Sequence, residues 1–148
     1  MSMCRCARRY NNLTRPVFEV PVFGPSIMHG KPGVVANVTL PNNLTSYQTL
    51  ELDMALSCPG TVDAQCPIWD HTVQLFVCCD GTRGTPLCNQ ELGRWISPFR
   101  RRIGRWLTPV PSYLPLLAGV PGADTFQCTF TMNTAPWAMP WKPSLTLR

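Results

Sequence analysis

The feature that most constrains this chain is a repeated alternation of apolar and polar residues. In "TLELDMALSC", Leu50, Leu52, Met54 and Leu56 fall on one side and Glu51, Asp53, Ala55 and Ser57 on the other. "TFQCTFTMNT" repeats the pattern, with Phe126, Cys128, Phe130 and Met132 against Thr125, Gln127, Thr129, Thr131 and Asn133. "VVANVTL" sets Val34, Ala36, Val38 and Leu40 against Asn37 and Thr39, and "HTVQLFVCC" aligns Val73, Leu75 and Val77. Successive side chains of an extended strand point to opposite faces, so each run reads as a strand with one buried face and one wet face. Strands are expected over 34–40, 50–58, 72–79 and 125–133, with Leu52, Met54, Val73, Leu75, Phe126 and Phe130 facing one core.

"ELGRWISPF" reads as a shorter strand broken by Pro98, and "PSYLPLLAG" holds the only hint of one or two helical turns. The 16 prolines sit mostly between the runs, where no ladder hydrogen bond is needed from the missing N–H. Short strands separated by turn signals indicate an all-β fold, an antiparallel β-sandwich or jelly roll. At 148 residues one domain is expected, over 31–148, after an irregular or partly disordered segment 1–30. "KPSLTLR" enters another strand and stops, which suggests a domain truncated at its C-terminus.

Eight cysteines are many for a reducing compartment, and the sequons Asn12-Leu13-Thr14, Asn37-Val38-Thr39 and Asn43-Leu44-Thr45 agree with that. Both point to a secreted or secretory-lumen protein, although "MSMCRCARRY" lacks the apolar core of a signal peptide. No window is apolar for long enough to span a bilayer. Cys78 and Cys79 point to opposite faces of one strand, and one of them can reach Cys88 across "DGTRGTPL". Which one does so stays open, because eight cysteines allow about 105 pairings. No C-x-x-C pair exists, and only His29 and His71 are available as imidazole ligands, so no metal site and no cofactor are implied.

Five of the 13 basic residues, Arg94, Arg100, Arg101, Arg102 and Arg105, fall within twelve positions, interleaved with Trp95, Phe99 and Trp106. Such a composition is compatible with nucleic acid or anionic glycans. A solvated loop between strands is the commoner cause, no nucleic-acid module surrounds the run, and no nucleic-acid partner is expected.

The order of "LPNNLTSYQTLELDMALSCPG", "QCPIWDHTVQLFV", "ELGRWISPF" and "TFTMNTAPW" resembles the N-terminal domain of the peptide:N-glycosidase F family over roughly residues 36 to 145. The resemblance implies an eight-stranded antiparallel jelly roll, the first of two, with the active cleft between them. It implies hydrolysis of the amide that joins an N-glycan to asparagine. Asp70 takes the position of the catalytic acid-base residue, and a positioned carboxylate can activate water against a weakly electrophilic amide. Trp69 and Trp137 take the positions of family tryptophans whose faces suit a sugar ring, and His71 stands in the substrate-binding position where the family pattern has an arginine. Cys58 and Cys66 match the family's disulfide-closed loop ahead of the Trp-Asp pair.

Two departures bear on activity. "NTAPW" places Ala135 where the family has a second acid, and a further glutamate belongs to the second domain. By residue type alone, an aspartate at a strand start is most simply one that hydrogen-bonds loop amides. The expectation is therefore a jelly-roll domain resembling that of a peptide-N4-(N-acetyl-beta-glucosaminyl)asparagine amidase, not catalytic as an isolated chain. Its expected partners are an N-glycan or glycoprotein and a second jelly-roll domain of a longer chain. The alternatives are a non-catalytic secreted glycan- or protein-binding module and a disulfide-stapled structural domain.

Overall fold

The computed structural model describes residues 17–86, 88–136 and 139–148. Its strands are β1 (Val20–Phe23), β2 (Val34–Pro41), β3 (Glu51–Ser57), β4 (Thr72–Cys79), β5 (Gln90–Ile96), β6 (Ile103–Pro109), β7 (Thr125–Thr134) and β8 (Lys142–Leu147). They form two four-stranded sheets, ordered β1-β8-β3-β6 and β2-β7-β4-β5, with every neighbouring pair antiparallel. This is the all-β, jelly-roll sandwich that the alternation called for.

The alternating faces meet between the sheets. Leu52, Met54, Val73, Leu75 and Phe130 have no exposed surface, and Phe126 has almost none. Each such side chain removed from water contributes roughly 1.5–3 kcal/mol. The outward faces are polar and linked across strands: Gln127 Nε2 donates to Thr39 Oγ1 at 2.6 Å, and Thr129 Oγ1 donates to Asn37 Oδ1 at 2.8 Å. The hinted helical turns are a 3₁₀ segment, Pro111–Leu117, which buries Leu117.

Two strands, β1 and β6, were not evident in the sequence, and both are edges of the same sheet. An edge strand has one neighbour and a half-wet surface, so its alternation is weak. β1 is four residues long, carries Pro21, and lies inside the segment expected to be irregular. β6 runs through the arginine-rich stretch read as a loop; only Ser97 to Arg102 connect β5 to β6 there.

The short repeat "GRW" at 93–95 and 104–106 has one physical role in both places. The Trp95 ring lies over Gly93, and the Trp106 ring over Gly104, so closely that a Cβ on either glycine would strike it. Residues two apart share a strand face, and an indole covering a glycine restores the packing that the missing side chain forfeits. Trp95 Nε1 also donates to Thr108 Oγ1 of β6 at 3.0 Å, tying the two sheets together.

The antiparallel registers sort the connections into two ends. Segments 24–33, 58–71 and 97–102 lie at one end, together with Ala135 and Pro136 after β7; segments 42–50, 80–86, 88–89 and 110–124 lie at the other.

Candidate functional site

The Trp69-Asp70-His71 segment immediately precedes β4 at the first of these ends. Trp69 is 53% exposed and Asp70 is exposed, while His71 is half-buried. The segment is held by one buried hydroxyl. Ser97 Oγ accepts the His71 backbone N–H at 2.9 Å and donates to the Trp69 carbonyl at 3.3 Å. The Ser97 backbone N–H donates to the His71 carbonyl at 2.8 Å. Three hydrogen bonds thus fix the backbone on both sides of Asp70 and leave its carboxylate in water.

The preceding loop is closed by a Cys58–Cys66 disulfide, the pairing that the resemblance implied. Asp63 within that loop reaches the β5–β6 connection. Its Oδ1 accepts the Arg102 backbone N–H at 3.0 Å, and its carboxylate lies 3.5 Å from Arg101 and 3.9 Å from Arg102. Arg102 Nη1 donates to the Thr61 carbonyl at 2.9 Å, and its own carbonyl accepts the Cys58 N–H at 3.1 Å. The two loops therefore form one braced rim.

Thr134, the last residue of β7, pairs with Val73, and its Oγ1 donates to the Thr72 carbonyl at 3.0 Å. One further step along the ladder sets Ala135 across from Thr72, two residues from Asp70. Ala135, where the resemblance expects a second acid, thus lies at the same rim. Trp137 lies outside the described residues, as do Cys4 and Cys6. Sequence reasoning missed Ser97 and Asp63, whose roles rest on contacts across 28 and 39 positions of chain; no local pattern signals them.

On the outer face of the β2-β7-β4-β5 sheet, Glu91 accepts from Arg94 Nε at 2.7 Å and from Gln74 Nε2 at 2.9 Å. The Arg94 guanidinium, helped by Gln74, holds the Glu91 carboxyl below its ordinary range against the opposing effect of burial. Cys78 is bonded to Cys88, which settles the alternative left open above, and Cys79 is bonded to Cys128.

Residues 16–86 match the family Peptide-N-glycosidase F, N terminal. The fold is shared with solved structures of a recombinant peptide:N-glycanase F (TM-score 0.64, 16% identity), of a peptide-N(4)-(N-acetyl-beta-D-glucosaminyl) asparagine amidase (0.59, 15%) and of PNGase F, a glycosylasparaginase from Flavobacterium meningosepticum (0.56, 15%). Residues 16–86 thus resemble the peptide-N-glycosidase F N-terminal domain, and the chain shares the fold of its solved structures. These matches cover 88%, 88% and 90% of this chain, but 40%, 41% and 42% of the solved chains, so this N-glycanase-like domain spans about two fifths of their length. No curated protein matches it by sequence.

Proposed function

We propose that this domain presents Trp69, Asp70 and His71 to the glycan–asparagine linkage of an N-glycoprotein, and that as an isolated chain it binds without hydrolysing. The observation that carries the reading is the exposed Trp69-Asp70 pair, fixed by Ser97 at the start of β4, with Ala135 rather than an acid beside it. Trp69, with Trp137 assigned the same role, offers a ring face to a sugar, and Asp70 stands where a base would act on water attacking the linkage amide. Hydrolysis also requires charge to be stabilised as the amine leaves, in a place from which bulk water is excluded. An open rim with one carboxylate supplies neither. The remaining wall is assigned to a second jelly-roll domain of a longer chain, and the setting to an oxidising, secretory compartment, in keeping with the disulfides.

Incubation of the purified chain with a denatured N-glycoprotein should release no glycan, and Asp70→Asn should change nothing in that assay. Titration with a chitobiosyl-asparagine glycopeptide should perturb tryptophan fluorescence, and Trp69→Ala should remove most of the response. Glycan release by the wild-type chain that Asp70→Asn abolishes would overturn the non-catalytic reading. Absence of any glycopeptide response would overturn the binding one.

A further inference from the structure

The arginine cluster is not a uniform basic surface, because the fold pairs its members unequally. Arg94 on β5 is bound by Glu91, with Nε–Oε1 at 2.7 Å and Nη2–Oε2 at 2.8 Å. Arg105 on β6 is held by both oxygens of Asp53, at 2.9 and 2.6 Å. Both flanking arginines are therefore neutralised by bidentate pairs. Between them, Arg100, Arg101 and Arg102 face the single carboxylate of Asp63, and Arg100 has no carboxylate partner among the described residues. The net positive charge of the cluster is thus confined to one six-residue connection, Ser97 to Arg102.

That connection walls a cleft of about 620 Å³ with the disulfide-closed loop, lined by Asp63, Ala64, Ile68, Phe99, Arg100 and Arg101. The Arg100 guanidinium lies 5.7 Å from the Phe99 ring centroid, and Phe99 is 52% exposed. Arg100 has φ +50, a left-handed conformation that a side chain adopts at a cost and that recurs at ligand-holding positions. Apolar surface from Ile68 and Phe99 beside a planar, uncompensated cation suits a flat ring that carries one anionic group. Asp70, the other acid of these two loops, is not among the lining residues.

We propose that this cleft binds a carboxylated sugar ring, a sialic or uronic acid, with its carboxylate on Arg100 and its apolar face on Phe99 and Ile68. The choice of a sugar rests on the glycan reading above; the choice of a carboxylate rests on the charge pattern. In that reading the cleft is an accessory subsite, reached at Ile68 one residue before Trp69, that gives the domain a preference for acidic glycans.

The test is an NMR titration of the full chain with sialyllactose, with an unsulfated uronic acid disaccharide and with neutral lactose. One or both acidic sugars should shift the resonances of residues 97–102, and which of them does so identifies the source of the carboxylate; lactose should bind at least about fivefold more weakly. Arg100→Ala should weaken acidic-sugar binding at least about fivefold, and Arg100→Gly, which relieves the left-handed backbone, should do the same with an unchanged melting temperature. Arg83→Gln, paired with Asp80 at the opposite end of the sandwich, should leave the affinity within about twofold. Equal binding of lactose, unaltered binding by both Arg100 variants, or no response to either acidic sugar would overturn the proposal. If the acidic sugars fail while the chitobiosyl-asparagine glycopeptide binds through Trp69, this subsite falls and the proposed function stands.

Discussion

The two ends of the sandwich are built on different principles. At the end opposite Asp70, the connections turn into the core: Leu44, Leu50, Val110 and Leu117 are buried, and the Asn42 side chain donates to the carbonyls of Val120 at 2.8 Å and Ala123 at 2.6 Å. Two disulfides, Cys78–Cys88 and Cys79–Cys128, lie there. At the Asp70 end Met28, Cys66 and Trp141 are buried, but more apolar side chains face outward than at the other end, where Val17, Phe18 and Tyr47 do. Ile27, Val62, Trp69, Ile96, Phe99, Ile103 and Met139 are all at least 40% exposed, and the loops are held by Ser97, by Asp63 and by one disulfide that closes a short loop. Packing that would lower the free energy of the folded chain is withheld at that end, as the proposed glycan binding requires. The ends differ in degree: one is the more tightly tied, the other the more exposed.

That contrast predicts a graded set of losses. Replacing Cys79 and Cys128 together by alanine should cost most, about 4 kcal/mol by loop closure, because this pair spans 49 positions of sequence. The same change at Cys58 and Cys66, which span 8, should cost about 2.5 kcal/mol. Denaturant unfolding without reductant measures both, and a larger loss at Cys58–Cys66 would break the comparison. Asn42→Ala should cost about 2 kcal/mol in the same experiment, since two carbonyls lose their half-buried donor. Gly119, at φ +83, makes room for that anchor, because a side chain there would collide with Asn42 Oδ1.

Ser97→Ala should cost about 1–2 kcal/mol, but its signature is local. Exchange of the His71 amide should quicken and the fluorescence of Trp69 should shift, while the far end stays protected from exchange. Loss of protection at both ends together would mean that they are not separable.

The smallest effect belongs to Glu91. Its folded pKa lies below the ordinary value of 4.5, so its contribution to stability is present above that value and is lost as the pH falls through the folded one. Glu91→Gln should therefore flatten the acid limb of the stability curve slightly and leave neutral stability almost unchanged, as expected of an exposed pair. Urea melts between pH 6 and about pH 3 would show it.

The sequence by itself determined the class of fold and the central strands. Period two cannot be satisfied by any element except a strand with one buried face, so β2, β3, β4 and β7 were legible residue by residue. It also placed Trp69 and Asp70 just before a strand, where the structure has them. Only the tertiary structure decided the edges β1 and β6, because an edge strand buries too little to leave a clear pattern. Tertiary structure also decided which adjacent cysteine pairs with Cys88, since two faces of one strand are equivalent until a sheet covers one of them. The rest of the arginine cluster followed the same rule: Arg94 is paired by Glu91 only three positions away, but Arg105 is neutralised by Asp53, 52 positions away. Asp63, 39 positions from Arg102, faces Arg101 and Arg102 and leaves Arg100 without a carboxylate among the described residues. Alternation is a local property of the chain, whereas charge compensation depends on which distant carboxylate the fold brings within about 3 Å.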